Sequence, residues 1–131
     1  MSDESTIRSR ERMAQIRDFS GLHFGSIIPT DIDGLIEYQN LCFILIETKF
    51  GDAQLPFGQE LALERLTDAI QASGKPAICI VASHTSSGDI DVGATKVTKY
   101  RSRFIWRVPL KPITTRAIIE GFIKHIKSGK F

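Results

Sequence analysis

The sequence predicts an α/β domain in which a mixed sheet is flanked by helices. Three observations carry that expectation. Two runs, "LCFILIE" (residues 41–47) and "PAICIVAS" (residues 76–83), are apolar at consecutive positions, as strands covered on both faces are. Between them the apolar period lengthens to that of a helix. After them comes the alternating run "RFIWRV", then a second stretch with helical spacing.

Taken in order, residues 4–18 are rich in Arg, Glu and Gln with scattered Ile7, Met13 and Ile16, and read as an exposed or half-docked helix. Residues 22–28 form a short strand candidate stopped by Pro29, which cannot donate to a ladder. Residues 32–38 and 41–50 are two strands joined by Gln39-Asn40, a tight turn, since Asn tolerates the positive φ such turns need. Gln59, Ala62, Leu63, Leu66 and Ile70 make the inward stripe of a helix closed by Gly74, with Glu60, Glu64, Asp68 and Gln71 on its other side. The buried strand "PAICIVAS" follows. Residues 84–102 read as a loop or hairpin rich in small and polar residues. "RFIWRV" alternates like a strand with one wet face. Pro109 and Pro112 lead into a last helix over about residues 114–127, with Ile118, Ile119, Phe122 and Ile126 as its buried stripe. The order is α-β-β-β-α-β-β-α.

At 131 residues, without repeats or a composition break, the chain is expected to be one domain spanning residues 1–131. A net charge of +2 permits a nucleic-acid partner without identifying one. The isolated Cys42 and Cys79 sit inside apolar runs and are expected to be free thiols in a core, in a reducing, cytoplasmic setting. No apolar signal core opens the chain and no run is long enough for a membrane span, so a soluble protein is expected.

The chemistry-bearing stretch is "TDIDGLIEYQNLCFILIETKF", residues 30–50. A hairpin turning at Gln39-Asn40 brings Asp33 level with residues 46–48. Strand alternation puts Glu47 and Lys49 on one face. Two carboxylates and an ammonium thus converge at one end of an apolar hairpin. That set suits metal-assisted phosphodiester hydrolysis. Mg²⁺ takes hard oxygen ligands, often one or two carboxylates plus substrate phosphate. Lysine can orient water or stabilise charge growing on phosphorus. The Thr48 carbonyl is a further candidate ligand. An ordinary ion pair at a strand end is the competing explanation of the same residues.

Here the chain resembles the PD-(D/E)xK nuclease superfamily, which includes restriction endonuclease-like and Holliday junction resolvase-like proteins. The lead is "PTDID" and the pair is "ETK". The resemblance implies a restriction endonuclease-like α-β-β-β-α-β core, running from the N-terminal helix through "PAICIVAS". It also implies a Mg²⁺-dependent DNA endonuclease in which Mn²⁺ can substitute. Asp33 stands at the motif's first acid, Glu47 at its second and Lys49 at its lysine. Pro29 lies four residues before Asp33, so Asp31 stays an alternative ligand. Gln59 matches a glutamine that several of these families place after E-x-K. Families of this kind also draw an acid from the first helix, for which Glu11 is preferred to Glu4.

Lys96, Lys99, Arg101, Arg103 and Arg107, interleaved with Tyr100, Phe104 and Trp106, could track a DNA backbone. Arg101, Arg103 and Arg107 are expected on one strand face, with Phe104, Trp106 and Val108 toward the core; a solvated sheet face gives the same pattern. His84 is expected at a strand end. Asp89 and Asp91 lack the remaining ligands of a calcium loop. A homodimer using the "RFIWRV" strand is a further expectation. The alternative to a nuclease is a non-catalytic nucleic-acid- or protein-binding module.

Overall fold

A computed structural model describes residues 15–129. The helix expected over residues 4–18 falls mostly outside them, and Glu11 with it. The described residues form an α/β fold whose five-stranded mixed sheet carries one helix on each face. The strands are β1 (Gly34–Tyr38), β2 (Cys42–Phe50), β3 (Ala77–His84), β4 (Lys96–Ser102) and β5 (Ile105–Arg107), in spatial order β1-β2-β3-β4-β5. β2 and β3 are parallel, bridged by helix α1 (Phe57–Ala72), and every other pair is antiparallel. Helix α2 (Thr115–Lys127) closes the chain. No helix among the described residues is long and apolar enough to cross a membrane.

Alternation along the central strands divides the core. Ile44, Ile46, Ile78 and Ile80 face α2 and its buried Phe122, whereas Leu45 and Cys79 face α1 and its Leu63. That double covering is why both runs are apolar at consecutive positions. Both cysteines are free and buried.

The strand expected over residues 22–28 is instead a turn. Phe24 and Ile27 exchange backbone hydrogen bonds of 2.9 and 3.1 Å around Gly25, whose φ is 68°. Glycine makes that left-handed step cheap, so the segment folds on itself and leaves Phe24 and Ile27 exposed. β1 is therefore the sheet edge, and the described core reads β-β-α-β before β4.

Residues 84–102, expected as a loop or hairpin, contain β4, preceded by a 3₁₀ turn at Val92–Ala94. Small and polar residues hid the alternation that buries Val97 and Ser102. The chain then reverses at Arg103-Phe104, both at positive φ (53° and 69°). This turn breaks "RFIWRV" in two. Arg103 and Phe104 become turn residues and Val108 is 72% exposed, so the expected single-face arrangement of Arg101, Arg103 and Arg107 does not form.

Helix α1 is also rotated from its expected facing. Glu60, Glu64 and Asp68, spaced four apart, point at β4 and β5, where they meet Lys99, Trp106 and Arg101. Ala62 and Leu66 are exposed instead, and Thr67 is buried with its hydroxyl donating to the Leu63 carbonyl. The reason is electrostatic. A cationic strand beside the helix offers the acids charge-assisted partners, which the apolar stripe alone does not register.

Candidate active site

The site is built by the β1–β2 hairpin. Leu41 donates to the Tyr38 carbonyl at 2.8 Å across a turn whose central residues, Gln39 and Asn40, have φ of 49° and 59°. Pairing resumes at Tyr38↔Cys42, so Leu41 is an extra residue in the ladder. That single residue sets the register Gly34↔Ile46 and places Asp33 level with Glu47.

Just before β1 begins, Asp33 takes over the ladder with its side chain. Its Oδ2 accepts from the Thr48 backbone N–H (2.8 Å) and from the Thr48 hydroxyl (3.2 Å). The Asp33 N–H in turn reaches Glu47 Oε1 at 3.4 Å. Glu47 projects toward α1 and is 3% exposed. Its Oε2 accepts from Gln59 Nε2 at 2.8 Å and lies 3.8 Å from Lys49 Nζ. Lys49 donates to Gln59 Oε1 at 3.4 Å. One amide, from the first turn of α1, therefore ties the second acid to the lysine.

The electrostatics are not those of a relaxed ion pair. Burial, and then the neighbouring Asp33 charge, hold the Glu47 carboxyl above its ordinary range, against the pull of Asp33 N–H, Gln59 and Lys49. Asp33 Oδ1 has no partner among the described residues, and Glu47 Oε1 has only a long contact. The donor set thus offers two lightly engaged carboxylate oxygens, from neighbouring acids that raise one another's electrostatic cost. The Thr48 N–H points toward β1, and in an extended strand the carbonyl of that residue points the same way, just ahead of Gly34 where β1 begins. No group of three or more His, Cys, Asp or Glu side chains arranged for a metal occurs among the described residues. Two carboxylates and a carbonyl fit a hard cation that keeps waters or takes substrate oxygens, and do not fit a closed zinc site.

These groups line an open cleft of about 870 Å³, shared with residues 26–31 and with Arg65 from α1. Asp31 lines it too, but makes no bond to Glu47, Lys49 or Thr48. Geometry therefore favours Asp33 as the first acid.

The basic residues scatter. Arg101 is held by Asp68 through two hydrogen bonds (2.8 and 2.7 Å) and lies 3.5 Å from Glu64. Lys99 is paired with Glu60, 4.5 Å over the Trp106 ring. Arg103 and Arg107 lie at and beyond the reversal, away from Lys49. Of these five, Lys96 and Lys99 are the two that share a cleft with Lys49. His84 ends β3, as expected, edge-on to Phe50.

Sequence reasoning missed two contributors. The Thr48 N–H and hydroxyl fix Asp33, a role invisible because the middle residue of E-x-K carries no pattern. Arg65 reaches the cleft only because α1 is rotated. Comparison with protein-family models, with curated proteins and with solved structures gives no match. The functional reading therefore rests on this geometry and on the motif.

Proposed function

We propose that this chain is a divalent-metal-dependent nuclease of the PD-(D/E)xK kind, hydrolysing phosphodiester bonds in DNA. One observation carries the reading. Glu47 is buried against a second acid, Asp33, at the wall of an open cleft, with a lysine 3.8 Å from Glu47 itself. A structural Glu47–Lys49 ion pair leaves the contact between the two acids unexplained, since Asp33 meets Glu47 and Thr48 rather than Lys49. An arrangement that costs stability and faces a cleft is what a site for a cation and an anionic substrate requires. The β-β-α-β order from β1 to β3 is compatible with a restriction endonuclease-like core, although the strand expected ahead of it is a turn.

Asp33 and Glu47, with the Thr48 carbonyl, would hold Mg²⁺ or Mn²⁺. When bound, such a cation polarises the phosphoryl oxygen and acidifies water. Lys49 orients the attacking water or steadies the negative charge that grows on the phosphoryl oxygens as the new P–O bond forms and the ester bond breaks. Gln59 fixes both Glu47 and Lys49 and so sets their separation.

The test is cleavage of supercoiled, single-stranded and branched DNA in Mg²⁺, Mn²⁺ and EDTA, with Asp33→Asn alongside. Expected is cutting that needs metal and is lost in the variant. Absence of cutting on every substrate, by protein that still binds DNA, would favour a binding module with a structural charged edge.

A further inference from the structure

A second cleft, of about 600 Å³, lies on the other side of Lys49. Lys49 lines both. Its floor is the C-terminal end of β3 and the start of β4, and its walls are the loop after β2 and residues 108–112.

Its charge is set by a β-bulge. Pairing between β3 and β4 shifts at Val81/Ala82, with Val81 opposite Lys99 but Ala82 opposite Val97, so Thr98 is the extra residue. Its hydroxyl donates to the Val81 carbonyl at 3.0 Å. Without the bulge, Lys96 and Lys99 would point to opposite faces of the sheet. With it, both share the face of Lys49. The register then forms rows across the sheet, Lys49–Ser83–Lys96 and Glu47–Val81–Lys99. Lys49 and Lys96 are two strands apart, roughly 10 Å at the backbone. Lys111 adds a fourth ammonium from the opposite wall.

Lys99 is offset by Glu60, but Lys96 and Lys111 have no acid partner among the described residues; Asp52 is the acid lining this cleft. The same wall carries Val108 and Leu110, 72% and 101% exposed. Unpaired ammoniums facing bare apolar side chains suit a ligand with an anionic backbone and uncharged flat faces. A single nucleic-acid strand is such a ligand. The volume falls within the roughly 300–1,000 Å³ of pockets that enclose a drug-sized molecule, the scale of a nucleotide or two rather than of a duplex.

We propose that this cleft binds a single nucleic-acid strand adjoining the phosphate held at Asp33, Glu47 and Lys49. The preferred substrate is then a single strand, or a duplex with a frayed or branched end. The inference rests on the nuclease reading for its meaning, but its test does not depend on cleavage.

The test is fluorescence anisotropy of a labelled twelve-nucleotide oligo-dT and of a duplex of equal length, in EDTA so that no cutting occurs. The parent is expected to bind the strand at least several-fold more tightly than the duplex. Lys96→Glu with Lys111→Glu should weaken strand binding tenfold or more. The milder pair Lys96→Gln with Lys111→Gln should lower the salt slope by about 1.4, two phosphate contacts at about 0.7 each. Val108→Ser with Leu110→Ser should weaken binding without changing that slope. A matched reversal on α2, Lys124→Glu with Lys127→Glu, should change little. The proposal is overturned if the duplex binds as tightly as the strand, if the cleft variants bind like the parent, or if the α2 control loses as much. A parent that binds the strand and loses it in the cleft variants, yet never cuts, would sink the nuclease reading and leave the cleft standing.

Discussion

At the residue scale, Glu47 and Gln59 decide the character of the site. Glu47 sits above its ordinary value of 4.5, chiefly through burial. The native chain therefore holds that proton more readily than the unfolded chain, and its stability falls as pH rises between 4.5 and the raised native value. Removing the charge should relieve this cost. Metal-free Glu47→Gln is expected to melt at or above the parent at pH 7 to 8, with the gap closing as pH is lowered to 4.5. Added Mg²⁺ should raise the melting temperature of the parent and not of the variant. A variant that melts well below the parent in metal-free buffer would mean that Glu47 is a structural anchor. Gln59→Ala removes the amide that orients an acid and the lysine. Losing such a supporting partner costs roughly 10- to 100-fold in metal affinity or activity. The metal concentration for half-maximal cleavage should rise accordingly, and an unchanged metal titration would remove Gln59 from the site.

These residues were legible because hairpin arithmetic is simple. A turn at Gln39-Asn40 and alternation after it bring Asp33, Glu47 and Lys49 together. The choice between residues 46, 47 and 48 as the partner of Asp33 was not legible, since it depends on Leu41 standing outside the ladder. The motif points to the Thr48 carbonyl, whereas in the structure its N–H and hydroxyl hold Asp33.

At the element scale, periodicity gave β2, β3 and both described helices but misplaced β4 and the facing of α1. The 3.6-residue pattern of α1 contains two stripes, one apolar and one acidic, and the acidic one won because β4 is cationic. Nothing local to α1 records what its neighbour carries. Arg101 belongs to that contact. Its side chain is 12% exposed and makes two hydrogen bonds to Asp68. Arg101→Ala should cost roughly 1.5–3 kcal/mol of stability, the range for hydrogen bonds to charged groups, read from denaturant midpoints. It should leave strand binding nearly unchanged. A large loss of DNA affinity at unchanged stability would return Arg101 to the nucleic-acid surface. The β4 bulge was equally hidden, because a one-residue register shift has no composition of its own.

At the scale of the whole molecule, the two faces of the sheet share one central pair of strands, so the fold should open as a unit. Cys42 and Cys79 both sit in that pair and are fully buried, and burial pushes the Cys79 thiol up to about 12. Neither thiol should react with a disulfide reagent until the chain unfolds, and both should then react together. Rapid reaction of one thiol under native conditions would contradict a core shared by α1 and α2.

The central claim is that the hairpin end formed by Asp33, Glu47 and Lys49 cuts phosphodiesters. The most direct measurement compares Lys49→Ala with the parent on the best-cut DNA substrate, in Mn²⁺ at concentrations where both bind the metal equally. A loss of cleavage of 100-fold or more, with metal and DNA binding retained, is the predicted result. Cleavage at the parental rate under those conditions would contradict it and place the reaction, if any, elsewhere.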